Sequence, residues 1–174
     1  MASISKFFVL TALALLSSCG KDGPAPSLGC SKCRVFLTAA TFDGNMNGVT
    51  GADDLCMADA NKPADGEYMA NLTDFTNRAF DIEWVFRPNT PYYRPDGTLI
   101  GTTGSDGLLV LPLTNAISTV NATVWTGGSP NCNFWSSASG ASSSFAGTSN
   151  STTTPTTGIF QACSTMSRLY CVEQ

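Results

Sequence analysis

Histidine is absent from the 174-residue chain, and that absence removes more chemistry than any other. Without imidazole, Ser-His-Asp and Cys-His nucleophilic mechanisms cannot be built, and a zinc site would have to come from cysteine and carboxylate alone. Charge is the second scarcity: Asp, Glu, Lys and Arg make up 13% of the residues. No cluster of Lys and Arg offsets the formal net charge of −4, so a phosphate backbone finds no electrostatic footing and nucleic acid is not an expected partner. The shortage is uneven. From Gly107 to Gln174 the only charged residues are Arg168 and Glu173, which leaves a half made of hydroxyls, amides and apolar side chains. Long apolar runs are missing too. The stretch FFVLTALALL, residues 7–16, is too short to cross a bilayer as a helix.

That short run has another meaning. Lys6 precedes it, and Leu16, Ser17 and Ser18 lead into Cys19. A basic start, an apolar stretch and small residues before a cysteine read as a signal peptide, residues 1–18, ending in a lipobox that leaves Cys19 as the site of lipid attachment. The membrane is then an expected partner through the lipid, and the cell envelope, at the outer membrane or cell surface, the expected location. Removing the leader takes away Lys6 and brings the formal charge to about −5. Residues 19–29, with GKDGPAPSLG following the cysteine, have little to bury and read as a flexible tether. Residues 30–174 are enough for one domain with a core, and too few for two comfortable ones.

Lipidation of Cys19 leaves six of the seven cysteines. An even number in an exported chain predicts disulfides. Counting alone permits fifteen pairings and selects none. Cys30-Ser31-Lys32-Cys33 follows the tether and precedes a strand, whereas a redox pair needs its first cysteine at a helix N-terminus after a strand. A small staple is therefore expected there.

Arg34 to Phe42 (RVFLTAATF) favours a first strand. Ala52, Leu55, Cys56 and Ala60 then fall on one face of a helix, with Thr50 as its cap, Asp53 three residues on, and Pro63 as its stop. Tyr68 to Asp74 reads as a strand, and Ile82 to Phe86 as either strand or helix. In PYYRPDGTLI, residues 91–100, two β-favouring ends flank Pro95-Asp96-Gly97, which is hairpin chemistry. RLYCVEQ is expected to close the sheet. Residues 137–158, rich in Ser and Thr, read as a long surface loop with a possible role as a binding rim.

FDGNMNGVTGADDLC, residues 42–56, supports two readings. Asp43, Asn45, Asn47, Gly48 and Asp54 stand at positions 1, 3, 5, 6 and 12 of a calcium loop. Against calcium, the entering segment is strand-like and position 12 is Asp, not a bidentate Glu. The simpler reading is a tight strand-to-helix turn in which Asn and Gly take positive φ and Asp53 and Asp54 favour the helix N-terminus. No metal or other cofactor is expected on that reading, with a calcium site at Asp43, Asn45, Asn47 and Asp54 as the alternative. Asp81 and Glu83 would share one face if their segment were a strand, but a carboxylate pair needs a cleft to act as a glycosidase. Trp84, Trp125 and Trp135 sit among apolar neighbours, which favours core packing for most of them over sugar stacking.

GVTGADDLCMADA, GEYMANLTD, VWTGGSPNCNFW and ACSTMSRLYCVEQ, in that order, resemble an uncharacterised family of bacterial lipoproteins best known in spirochaetes. The resemblance extends from about Cys33 to Gln174. It implies an α+β domain of the C-type lectin-like fold in its endostatin-like form, with mixed, mostly antiparallel sheets, one or two helices, long loops and disulfide staples. It also implies pairing of Cys56 with Cys171 and of Cys132 with Cys163, leaving Cys30 and Cys33 as an extra pair. In the loop-entropy picture each long staple is worth about 3 to 5 kcal/mol. The Glu-Pro-Asn and Trp-Asn-Asp motifs of calcium-dependent lectins are absent, although Arg87-Pro88-Asn89 is similar to the first, and endostatin's zinc and heparin chemistry is not implied in a chain without histidine. The expectation is a lipid-anchored envelope protein that binds an unknown protein or glycan and is not an enzyme. A structural envelope component and a carboxylate-based enzyme are the alternatives.

Overall fold

The computed structural model describes Cys30 and residues 32–174. The expected leader 1–18, Cys19 and the tether 19–29 lie outside the described residues. In chain order the elements are β1 (Cys33–Leu37), α1 (Gly48–Ala58), β2 (Tyr68–Ala70), β3 (Pro91–Tyr93), β4 (Leu99–Thr102), β5 (Thr123–Trp125), α2 (Cys132–Trp135), β6 (Ser143–Thr148), β7 (Ile159–Ala162) and β8 (Arg168–Glu173). The main strand order is β4-β3-β1-β8-β5-β6-β7, with β2 also paired to β8. Pairing is antiparallel except for β1 with β3 and β5 with β8. The architecture is therefore α+β with an open, mostly antiparallel sheet.

β8 explains why the sheet holds together. β1 takes one edge, with Val35 opposite Val172 and Leu37 opposite Tyr170. The other edge is shared between β5, alongside Arg168 and Leu169, and β2, whose Tyr68 faces Glu173. Successive side chains of a strand point to opposite faces, and here both faces are covered. Leu169 and Cys171 enter a core with Phe36, Trp125 and Trp135, while Tyr170 and Val172 enter a second core with Val35, Tyr92 and Ile100. A strand buried on both sides reads as a continuous apolar run, and LYCV is that run.

α1 covers the first core with Val49, Ala52 and Cys56, positions three and seven residues apart along one helical face. The helix begins two residues before the expected Thr50 cap. Asn47 is its N-cap in the left-handed region, at φ 59°, without a side-chain capping bond. Asp53 and Asp54 consequently lie beyond the first turn and do not serve its N-terminus. The helix ends at Ala58, well before Pro63, and Ala60 is exposed beyond it. Asp59 secures that end by accepting from the amides of Ala39, Ala40 and Asn61.

Two further expectations are corrected. Residues 82–86 form neither strand nor helix; Ala79 and Ile82 exchange backbone bonds in a tight turn, and Glu83 sits at φ 48°. Residues 137–158 are not one long loop, because β6 lies within them. At Gly147 the lack of a side chain lets residues 149–158 fold back closely, since a Cβ there would stand 1.8 Å from the Pro155 carbonyl oxygen. Ser149 fixes this return: its amide donates to Ala122 O, while its hydroxyl donates to Val120 O and accepts from the Ala122 amide. The hairpin at Pro91 to Ile100 forms as β3 and β4, with a bulge at Tyr92/Tyr93.

α2 is a single turn of the unusual hand. Cys132, Asn133, Phe134 and Trp135 have φ between 54° and 60°, a region that costs a side-chain-bearing residue about 1–2 kcal/mol. Several ties hold it. Asn131 Oδ1 accepts from the Phe134 amide, Trp135 Nε1 donates to Thr73 O, and Cys132 is bonded to Cys163.

Two stability predictions follow from these backbones. A Cβ on Gly51 would lie 2.0 Å from the Met46 carbonyl oxygen, so Gly51→Ala should destabilise the domain by about 1–3 kcal/mol in urea unfolding. Phe134 occupies the left-handed region with its side chain 48% exposed. Replacement by Asn, which tolerates that region, should raise stability by about 1 kcal/mol, read as a higher denaturation midpoint.

Candidate functional site: an aromatic groove

The segment after β2 turns outward because Asp74 organises it. Its carboxylate accepts from the amides of Thr76 (2.9 Å), Asn77 (2.7 Å) and Arg78 (3.0 Å), and from Asn77 Nδ2 (2.7 Å). Burial pushes the Asp74 carboxyl up, but these hydrogen bonds outweigh it and hold the group below the ordinary carboxylate value. The turn drives Phe75 to φ 59° and leaves it half exposed. Arg78 goes the other way. Only 3% exposed, it donates Nη1 to Ala70 O and to Asp53 Oδ1, both at 2.9 Å, and Nη2 to Asp53 Oδ2 at 2.7 Å. The fork clamps the turn to α1. Such paired geometry is what makes a buried guanidinium tolerable.

The next turn, at 79–82, places Phe80 beside Trp84. A file of rings then runs from surface to core: Phe75 to Phe80 at 6.3 Å, Phe80 to Trp84 at 4.9 Å, Trp84 to Phe86 at 6.0 Å and Phe86 to Tyr92 at 4.8 Å. Trp84 is fixed by donating Nε1 to Gly107 O at 3.0 Å. Leu108, Leu109 and Leu111 join Phe75, Phe80, Trp84 and Phe86 in lining a groove of about 260 Å³. Gly127 and Gly128 also line it, at φ 93° and 136°. A Cβ on Gly127 would come within 2.5 Å of Thr73 N, so only glycine lets the chain after β5 lie against Thr73. Asn71, Thr73, Thr126 and Thr156 supply polar atoms to a lining without charge.

The residues singled out from sequence are distributed differently. Trp125 and Trp135 are fully buried and meet edge to face at 5.6 Å, whereas Trp84 lines the groove. Asp81 and Glu83 are exposed on the turn around Ile82; they do not share a strand face, and the carboxylate-pair geometry is lost with the strand. The disulfides join Cys30 to Cys33, Cys56 to Cys171 and Cys132 to Cys163. Asp43, Asn45, Asn47 and Asp54 line one open surface depression. Asp43 Oδ1 there accepts from the Asn45 amide at 2.9 Å, and among the described residues no three His, Cys, Asp or Glu converge as a metal group. Sequence reasoning missed Phe75, Phe80, Leu109 and Leu111. The available signal was apolar residues spaced without strand or helix period in a turn-rich segment.

A second depression, lined by Arg94 and Arg168, is more open and polar. Both guanidiniums are already used structurally, donating to Ala116 O and Thr38 O.

Asp74 gives a pH-dependent prediction. A carboxyl whose folded value is depressed contributes stability that is fully present above its unfolded value, here 3.8, and lost as pH falls through the lower folded value. Asp74→Asn should cost about 1–3 kcal/mol at neutral pH and flatten the acid limb of the stability curve. Urea midpoints measured between pH 7 and pH 2.5 would show both.

Comparison with known proteins adds a family. The family described as a protein of unknown function (DUF1554) matches residues 39–161, more than half of the chain. No curated protein matches it.

Proposed function

This chain belongs to the DUF1554 family, and we propose that it is a lipid-anchored binding protein of the cell envelope, at the outer membrane or cell surface, held by Cys19 and acting without catalysis. Its domain, residues 30–174, is read as C-type lectin-like in the endostatin-like form. The tie between α1 and the closing strand through Cys56 and Cys171 supports that reading, as does the open antiparallel sheet. The observation that carries the binding function is the groove. Phe75, Phe80, Ile82, Val110 and Leu111 are 43–59% exposed on the loops around it. Rigid, half-exposed aromatics over a preformed hollow are the usual apparatus of recognition. The ligand is a protein or a glycan, and nucleic acid is not among the partners.

Anchoring and binding are tested separately. A mature chain beginning at diacylated Cys19 partitions with membranes because two acyl chains hold firmly; Cys19→Ser should appear in the soluble or unprocessed fraction. Fractionation and migration unchanged from wild type would sink the anchor. For the groove, wild type and Phe80→Ala should be compared on arrays of glycans and envelope-accessible proteins. The expected result is a signal that Phe80→Ala loses while its circular dichroism and melting remain native.

A further inference from the structure

Resting on the binding role above, we infer that the groove seats one apolar side chain of a partner polypeptide whose flanking residues are basic. Size argues for a side chain. Pockets that enclose a whole small molecule have volumes of roughly 300–1,000 Å³, and this one, at about 260 Å³, falls below them yet is ample for a Leu or Phe side chain. The surroundings argue for a polypeptide. Ile82 and Val110, neighbours in sequence of lining residues, extend the apolar surface outside the hollow, which matches the shielding ring around an interface anchor and would be wasted on a small solute.

Ring geometry argues against a sugar. Phe75 meets Phe80 at 82° and Phe80 meets Trp84 at 83°, so the rings form no continuous flat platform on which a pyranose would stack.

Charge selects the flanks. Between residues 79 and 86 and between 104 and 111, the charged side chains are Asp81, Glu83 and Asp106, all three exposed. Each lies on a loop that contributes residues to the groove's lining, and the one cation directly bordering those stretches besides Arg78 is the half-buried Arg87, so the three acids outnumber it. An uncharged lining flanked by exposed carboxylates attracts Lys and Arg beside an apolar anchor and repels an anionic bilayer. The guanidinium that precedes the first stretch, Arg78, is buried against Asp53 and cannot neutralise them.

The test uses full-length, anchored protein in detergent and three capped, fluorescent peptides: Gly-Lys-Lys-Leu-Lys-Lys-Gly, the same with Leu→Ala, and the same with every Lys→Glu. Anisotropy should rank the basic Leu peptide about fiftyfold tighter than its Ala counterpart, the equivalent of burying the extra carbons of the leucine side chain. The Glu peptide should not bind, and the basic peptide's affinity should fall with salt. Phe80→Ala should remove the Leu preference while leaving the melting temperature native, and Asp81→Asn with Glu83→Gln should weaken the basic peptide several-fold without changing that preference. Equal binding of Lys and Glu peptides, or no binding at millimolar peptide, would overturn the inference. So would quenching of Trp84 fluorescence by brominated lipid in vesicles bearing the anchored protein, identified by its loss in Trp84→Phe, because that outcome assigns the groove to the bilayer. None of these results bears on whether Cys19 is lipidated.

Discussion

Everything in this domain is referred to β8. It is the last strand in the chain, yet it occupies the middle of the sheet, pairs with β1, β2 and β5, and contributes residues to both cores. A central strand that follows all its partners in sequence makes the key contacts non-local, so neither core closes until β8 is in place. The Cys56–Cys171 bridge, 115 residues apart in sequence, constrains that long closure. At its far end Glu173 accepts from the Arg34 amide and Nε, and Arg34 also pairs with Asp65 at 2.8 Å. Their guanidinium partner is consequently raised above its ordinary value, first by its bonds to Glu173 and then by those to Asp65.

From that centre the groove is reached in two steps. Asp53 on α1 receives the Ala70 amide at 2.7 Å as well as the Arg78 fork, so one carboxylate locks helix, β2 and the aromatic turn together. Asp74 then folds the turn. On its far side, Asn131 Nδ2 donates to Asp74 O and Trp135 Nε1 to Thr73 O. The left-handed turn at 132–135 thereby supports the backbone from which Phe75 projects. Its conformational cost is offset by the burial of Trp135 and Cys132, which are both fully enclosed. The groove is rigid because its walls are anchored in polar pairs and in the core, and a rigid site loses little entropy on binding.

The low charge of the chain has a structural counterpart. Where most domains use ion pairs and long polar side chains, residues 118–167 use hydroxyls: Ser149 bridges Ala122 and Val120, Thr123 Oγ1 meets Ser167 Oγ at 2.9 Å, and Gln161 donates to the same Ser167. These bonds are short-range and salt-insensitive.

What the sequence determined by itself was local. The apolar runs VFL and LYCV specify β1 and β8, the Pro-Asp-Gly turn specifies the β3–β4 hairpin, and the spacing of Ala52 and Cys56 specifies the buried face of α1, because each depends on side-chain pattern or turn chemistry within a few residues. The positive φ of Asn47 and Gly48 was legible in their residue types, but the first residue of α1 was not, because Asn47 caps the helix without a side-chain bond whereas Thr50 carries the usual cap signature. Nor was β6, whose Ser, Ala and Gly become a strand only because β5 and β7 flank it and 149–158 folds over it. Only the tertiary structure decided that Trp125 and Trp135 are interior while Trp84 faces a groove, and that Phe75, Phe80, Leu109 and Leu111 meet at all. Those residues come from segments joined by no local pattern, and their convergence is set by Arg78 reaching Asp53 and by glycines at 127 and 128 that let distant backbones touch.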